Sequence, residues 1–324
     1  MAIATRMNHT GVSIQTFSTS VAGLHSEPSH ISTKIIRLFS KMLTRVKPYW
    51  EETKMAEDRE VLREVWDGRL PVCFKLAEEE VYTMQQPEAY YLMISRISYF
   101  PLVVDKVHKH FSRHVDERYN GNEMWLEYNG LPLKWHLPIG VHYDCNASDS
   151  ILPWGITVHF QNFPEKQILH CGSRAVVESH FMSAIKEADM LKHRSQVVST
   201  MQKKDHNQLW VGLLNSKFDQ FWAINKKLME RIGGESFKHI PFRLYMPDGS
   251  LVQRLVSPVA SSGDKATLET LLQQVAPQVL VGDGAKHVVI THGIQVPLDT
   301  PLQWMSEHLS YPDNFLHLCV MPCS

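Results

Sequence analysis

Hydrophobic and polar positions along the chain change period several times, and each change marks an element. Between residues 57 and 66, Val61, Leu62, Val65 and Trp66 make a helical stripe that is too short to be stable unless it docks on something. Residues 70–76 alternate in strand fashion, and residues 90–94 follow with aromatic and aliphatic side chains suited to a sheet. Leu102, Val103, Lys106, Val107, His110 and Phe111 then switch to a helical period that begins just after Pro101. Residues 124–128 and 131–135 flank Asn129-Gly130, whose tolerance of positive φ predicts a hairpin. Pro138 opens a short turn or helix and residues 155–160 supply a last strand, so the order is ββα, ββ, short helix, β.

The same order returns near the C-terminus. Residues 240–246 and 251–256 flank Pro247-Asp248-Gly249-Ser250, where Pro presets one φ and Gly supplies the permissive position. Leu268, Leu271, Leu272 and Val275 predict a helix capped by Thr267 or Asp264 and closed before Pro277. Residues 287–291 read as a strand, Thr300-Pro301 as an N-cap followed by a first-turn proline, and residues 315–320 as the final strand. Two units of about 90 residues thus share one order of elements with negligible identity, and that order is the ubiquitin-like (β-grasp) arrangement.

Between the units lies a helical region. Ser173 is placed as an N-cap, with Val177, Phe181, Ile185, Ala188 and Leu191 on one face of the helix that follows. A second helical pattern runs through Leu209, Trp210, Leu213, Phe218, Phe221, Trp222, Ile224, Leu228 and Met229 until Gly233-Gly234 breaks it. Its aromatic residues fit core packing between the flanking domains, or a groove for a partner. The expected fold class is α+β: two ubiquitin-like modules flanking a helix-rich domain, plus a short N-terminal helix. The expected divisions are an extension at 1–54, a docking helix at 55–68, a first ubiquitin-like domain at 69–164, a helix-rich domain at 171–232 and a second ubiquitin-like domain at 238–324.

Composition narrows the function. Among 324 residues, 33 Lys plus Arg balance 34 Asp plus Glu for a net charge of -1, which argues against nucleic-acid binding through bulk charge. With 44% hydrophobic residues the chain has ample material for packed cores. Five scattered cysteines, Cys73, Cys145, Cys171, Cys319 and Cys323, read as reduced thiols in the cytosol. There is no apolar run of bilayer length, and the N-terminus lacks the apolar core of a secretory signal. The neutral total hides an asymmetry, because residues 1–54 carry seven basic and three acidic side chains. Within them Ile31, Ile35, Leu38, Met42 and Val46 fall at helical spacing opposite Lys34, Arg37, Lys41 and Arg45. This segment fits a basic amphipathic helix on an anionic membrane or part of a targeting peptide, or an appended, poorly ordered tail.

The search for catalytic chemistry is mostly negative. No phosphate-binding loop, dinucleotide fingerprint, nucleophile elbow or zinc-protease pair is present, and residues 282–286, though they hold two glycines and a lysine, read as a loop. His110 and His114 have the spacing of a metal pair, but Lys106, Lys109 and Arg113 oppose a cation, so with His108 they read as a solvated basic face. His170-Cys171 places a thiol beside an imidazole in sequence only, and Cys319 with Cys323 has no metal spacing elsewhere. Lys186 stands opposite the apolar stripe of its helix, nine residues from Val177, and is expected in solvent beside Met182, Asp189 and Met190. A basic patch of Lys192, Arg194, Lys203 and Lys204 reads as a solvated helix surface, or as a lipid contact.

Long runs of rare residues then carry a resemblance. Pro301-Leu-Gln-Trp-Met-Ser-Glu-His-Leu-Ser-Tyr-Pro-Asp-Asn-Phe-Leu-His-Leu318, Pro132-Leu-Lys-Trp-His-Leu-Pro-Ile-Gly140, Phe163-Pro-Glu-Lys166, Met201-Gln-Lys-Lys-Asp-His206 and Phe218-Asp-Gln-Phe-Trp-Ala-Ile-Asn225 resemble the autophagy protein 5 family. The resemblance runs from Met55, where Met-Ala-Glu-Asp-Arg looks like the family's usual start, to about Met321. It implies a protein that is modified through an isopeptide bond by the ubiquitin-like autophagy protein 12. The lysine concerned lies in His180-Phe-Met-Ser-Ala-Ile-Lys-Glu-Ala-Asp189, where it matches Lys186, and Lys192 is the alternative acceptor. The resemblance also implies a helix of autophagy protein 16 laid in a groove between the ubiquitin-like and helical domains, and transient contact with conjugating enzymes. The conjugate would promote lipidation of the autophagy protein 8 family with phosphatidylethanolamine, as a ligase-like assembly in the cytoplasm recruited to the phagophore membrane. On this reading the chain has no catalytic residue, metal or cofactor of its own. Two rivals are a cysteine-dependent thioester enzyme, with Cys171 as nucleophile, and a ubiquitin-like modifier conjugated by its own tail. The second is disfavoured because the chain ends Met-Pro-Cys-Ser, without the glycine that activation requires.

Overall fold

The computed structural model describes residues 55–148, 150–260, 263–280 and 287–322. The expected amphipathic helix within 1–54, the loop at 282–286 and Cys323 lie outside the described residues. The first element, α1 (Met55–Asp67), solves the stability problem of a short helix by docking. Val61 and Val65 sink into the core of the second ubiquitin-like module, while Trp66 packs against Phe218 and Phe221 in the helical region.

The first module follows as β1 (Arg69–Leu76), β2 (Tyr90–Ser95), α2 (Phe100–Val103), α3 (Asp105–Phe111), β3 (Trp125–Tyr128), β4 (Leu131–Pro132), α4 (Ile139–Asn146) and β5 (Trp154–His159). Strand order is β2-β1-β5-β3-β4, with β5 parallel to β1 and every other pair antiparallel. Val72, Phe74 and Leu76 alternate into a core closed by Val107, Phe111 and Trp154. The helix expected after Pro101 is two helices, because Val104 adopts φ -94 and ψ 5 between them. Asn129 and Gly130 take positive φ, as the hairpin reading requires.

Next come α5 (Arg174–His193), α6 (Lys203–Leu214) and α7 (Phe218–Met229). The single helical pattern expected to run through to Met229 is therefore broken. Ser216 turns to φ 51, and the Lys217 N–H donates back to the Gly212 carbonyl at 2.8 Å, so α7 folds back on α6. Gly212 permits this approach: a Cβ there would stand 2.9 Å from Phe221 backbone atoms. Ser173 sits at the N-cap of α5 but makes no side-chain cap bond.

The second module comprises β6 (Phe242–Tyr245), β7 (Leu251–Val252), α8 (Leu268–Val275), β8 (His287–Thr291), β9 (Ile294–Gln295), α9 (Leu302–His308) and β10 (Leu316–Pro322). Its order β7-β6-β10-β8-β9 repeats that of the first sheet, with β10 parallel to β6. Thr267 caps α8 as expected, accepting from the Thr270 N–H. The cap of α9 is Pro301 itself rather than Thr300, so the helix begins at Leu302. Strand β9 has no counterpart in the sequence reading; His292 and Gly293, with φ 52 and 78, make the turn that creates it.

The two modules meet where α4 lies against β10 and β8. Arg96, just after β2, donates to the Asp144 carboxylate on α4, and both are buried. The other oxygen of Asp144 accepts the Gly293 N–H at 3.1 Å from the β8–β9 turn. Gly140 allows the close approach, because a Cβ there would stand 2.8 Å from the Tyr311 hydroxyl. Burial pushes the Asp144 carboxyl above its ordinary value, opposed by the guanidinium. Around this junction burial also holds imidazoles neutral: His142 is lowered to about 4 and His292 to about 3.

Two outcomes follow. Asp144→Ala strands a buried guanidinium and should cost about 3–5 kcal/mol in denaturant unfolding; a loss below 1 kcal/mol would show that the pair is dispensable. His142 and His292 have folded pKa values below the unfolded value near 6.5, so their contribution is complete above pH 6.5 and is lost as pH falls toward 4. Each should remove up to about 1.4 kcal/mol per pH unit in that window, and His292→Gln should flatten the unfolding profile there.

Candidate functional site

Helix α5 is anchored to both modules and carries the candidate acceptor between its anchors. At its start Arg174 pairs with Asp105 of α3, and the His180 Nε2 donates to the His136 carbonyl at 3.1 Å. Further along, Glu187 accepts from Gln253 at 2.8 Å and lies 3.5 Å from Arg243 of β6. At its end, the N–H groups of Lys238 and His239 donate to the Lys192 and Leu191 carbonyls. Val177, Phe181 and Ile185 are buried against α6 and α7. Lys186 is exposed, and Met190, one turn on, is 64% exposed.

The expected neighbour Asp189 is not on this face. It is buried, accepting the Val198 N–H at 2.8 Å and facing the His193 imidazole at 2.9 Å. The side is enclosed because the chain after α5 folds back under it.

Lys192 departs further from expectation. Expected in a solvated basic patch and as the alternative acceptor, it is 2% exposed. Its Nζ donates to Asn314 Oδ1 at 3.2 Å, approaches the Leu228 carbonyl at 3.5 Å, and lies 5.0 Å from the Phe237 ring centroid. Asn314 in turn donates to Asn225 Oδ1 at 2.7 Å, so one polar network joins α5, α7 and the loop before β10. Burial lowers the Lys192 amine to about 7 against the pull of Asp189, Glu307 and Asp313. Arg194, Lys203 and Lys204 remain exposed, leaving the patch with three charges instead of four.

The cysteine candidates are poorly placed for nucleophilic chemistry. His170 turns its Nδ1 to Glu123 at 2.8 Å and stacks on Phe163, while the Cys171 thiol faces the Ser173 carbonyl at 3.8 Å. Burial, then Glu123, raises the Cys171 thiol above its ordinary value, the opposite of what a thioester-forming cysteine needs. The His110 Nε2 donates to the Glu88 carbonyl at 2.8 Å, and among the described residues no group of three ligating side chains is placed to hold a metal.

An open groove of about 520 Å³ runs between α1, α7 and α9. Leu62, Trp222, Ala223 and Met229 give it an apolar floor, and Arg59, Asp219, Lys226, Glu230 and Glu307 a charged rim. Arg59 and Arg63 both reach Asp219, at 2.5 and 2.7 Å, and hold α1 on α7. Trp222 belongs to the aromatic stripe read from sequence, but the rim comes from three distant segments that share no local pattern.

Family models described as "Autophagy protein ATG5, UblA domain", "Autophagy protein ATG5, alpha-helical bundle region" and "Autophagy protein ATG5, UblB domain" match residues 65–160, 174–231 and 239–320. Autophagy protein 5 of Drosophila melanogaster is 51% identical over 82% of this chain and 98% of its own length. Autophagy-related protein 5 of Caenorhabditis elegans is 36% identical over the same shares. The crystal structure of Kluyveromyces marxianus Atg5 superposes with a TM-score of 0.70 at 20% identity, covering 81% of this chain and all of that one.

The lowered Lys192 amine makes a stability signature. Its stabilising contribution is complete above the unfolded value near 10.5 and is lost as pH falls toward 7. Wild type should therefore gain up to about 1.4 kcal/mol per pH unit between pH 7 and 10 relative to Lys192→Met in parallel urea titrations. Parallel curves for the two proteins would mean that the amine is hydrated.

Proposed function

Because the chain belongs to the autophagy protein 5 family and so has a role in autophagy, we propose that it is a non-catalytic scaffold whose Lys186 accepts the C-terminus of autophagy protein 12. The observation that carries this reading is the contrast between two lysines on one helix. Lys186 is in solvent on a rigid element, whereas Lys192, six residues on, is buried with its amine engaged. The chemistry needs an exposed, unprotonated amine and an activated carbonyl held by another protein. The Lys186 nitrogen attacks the thioester of a conjugating enzyme, the thiolate leaves, the amine proton passes to water, and an isopeptide bond remains. The scaffold contributes position, by holding the nucleophile where two bulky partners can reach it.

The groove between α1, α7 and α9 takes the amphipathic helix of autophagy protein 16. An apolar floor beneath a charged rim is the pattern that such a helix reads, with apolar anchors one turn apart. Assembled in this way, the conjugate serves as a ligase-like complex that promotes transfer of autophagy protein 8 family members to phosphatidylethanolamine. It works from the cytoplasm at the phagophore membrane, in transient contact with the conjugating enzymes. Family membership and the placement of Lys186 and the groove support this reading.

In a reconstituted conjugation reaction, Lys186→Arg should abolish the shifted band on a denaturing gel while melting as wild type does; a persisting band puts the acceptor elsewhere. Trp222→Ala should weaken binding of the partner helix at least about tenfold and leave conjugation intact, as read by fluorescence anisotropy on a labelled helix.

A further inference from the structure

Away from both sites, two thiols belonging to different modules touch. Cys145 lies in the last turn of α4. Cys319 lies in β10, opposite Tyr245 of β6 and Ile290 of β8. Their sulfurs are 2.9 Å apart across 174 residues of sequence, a gap only about 0.9 Å longer than a disulfide bond. Cys145 is half-buried and gives access from outside, while Cys319 is 1% exposed. Besides Cys145, the Cys319 sulfur faces the Val141 carbonyl at 3.9 Å. Next to Cys145 in the chain, Asp144 is already locked to Arg96 and to the Gly293 N–H. The backbone that carries one thiol is thus held against the module that carries the other.

We infer that Cys145 and Cys319 form a redox modification site, closing a disulfide that staples the first ubiquitin-like module to the second, with a low-molecular-weight disulfide as oxidant. The Cys145 thiolate attacks one sulfur of the oxidant and expels one small thiol, leaving a mixed disulfide. Cys319 then gives up its proton to solvent and attacks the Cys145 sulfur, expelling the second small thiol. Two protein thiols are oxidised and one small disulfide is reduced to two thiols. Burial raises the Cys319 thiol well above its ordinary value, so the second step is the slower one and quickens with rising pH. The closed form constrains the unfolded chain over a very long loop and holds the module junction shut independently of the ion pair beside it.

The test uses the full chain, folded, with oxidised glutathione as the probe at mildly alkaline pH. After acid quenching, alkylation and digestion without reductant, mass spectrometry should find a peptide pair linking residues 145 and 319, two hydrogens lighter than its parts. Oxidation should raise the melting temperature by roughly 5–15 °C in wild type and in Cys73→Ser, and dithiothreitol should reverse the shift. Cys145→Ser and Cys319→Ser should show no shift. The mapping in wild type stands even if a variant folds poorly. Glutathione persisting on Cys145 with Cys319 still alkylated, a link to any other cysteine, or a link that forms only in denaturant would each overturn the inference.

Discussion

The buried Asp144 carboxylate, fixed by Arg96 within the first module and accepting the Gly293 N–H of the second, is the constraint on which the arrangement of the modules rests. Each β-grasp sheet closes a core of its own. What joins them is the apolar contact of Val141 with Tyr311 and Cys319 and, beside it, a carboxylate on α4, oriented by the guanidinium after β2, that accepts a backbone N–H in the β8–β9 turn. A buried pair of this kind adds little net stability over apolar packing, because desolvation consumes most of the Coulomb gain. Its value is directional. The carboxylate has two oxygens, one accepting from Arg96 of its own module and the other from Gly293 of the second, so sliding the second sheet by one residue would leave a buried carboxylate oxygen without its cross-module partner. Gly140 and Tyr311 reinforce this register by shape, since the hydroxyl occupies the space that a side chain on α4 would need.

Much of the fold was readable from sequence because it rests on period and turn chemistry. The alternation of Val72, Phe74 and Leu76, the Asn129-Gly130 turn and the Thr267 cap each depend on neighbours within a few residues. The misses have equally physical causes. Strand β9 is two residues long, too short for any alternation, and its His292-Gly293 turn lacks the Asn or Asp that marks a hairpin. The break at Ser216 is enforced by Gly212 packing on Phe221, a contact between helices that no local pattern announces. Lys186 was placed correctly by helical phase because its side of α5 faces water. The same reasoning failed for Asp189, because α5 is enclosed on two sides and phase alone cannot tell a second packed face from a wet one; Lys192 was read by its charge, although it stands seven residues from Ile185 and four from Ala188, on the apolar stripe.

The network of Lys192, Asn314 and Asn225 complements the ion pair from the other side of the molecule. Through the Gly293 N–H the Asp144 carboxylate links module to module, and the Lys192 network links the helical region to the loop leading into β10. Polar groups in these places discriminate between packings that apolar side chains would tolerate equally. The groove owes its walls to the same economy: α1 is carried by the second module through Val61 and Val65 and tied to α7 through Asp219, so its shape reports how the three parts are seated.

Helix α5 is pinned near its start to the first module and at Glu187 and its end to the second, with Asp189 holding the chain that follows. Lys186 therefore projects from a point that does not swing, and its own four-carbon stem supplies nearly all the freedom of whatever hangs from it. On the proposed reading, a partner tethered there by a single bond would meet the surrounding surface at an effective concentration of about a millimolar or more, set by the tether and not by the amount of partner in the cell. Under that condition even a feeble complementary contact is close to saturated. A single covalent link on a rigid helix can thus impose an orientation that the same two proteins, mixed freely, would rarely adopt.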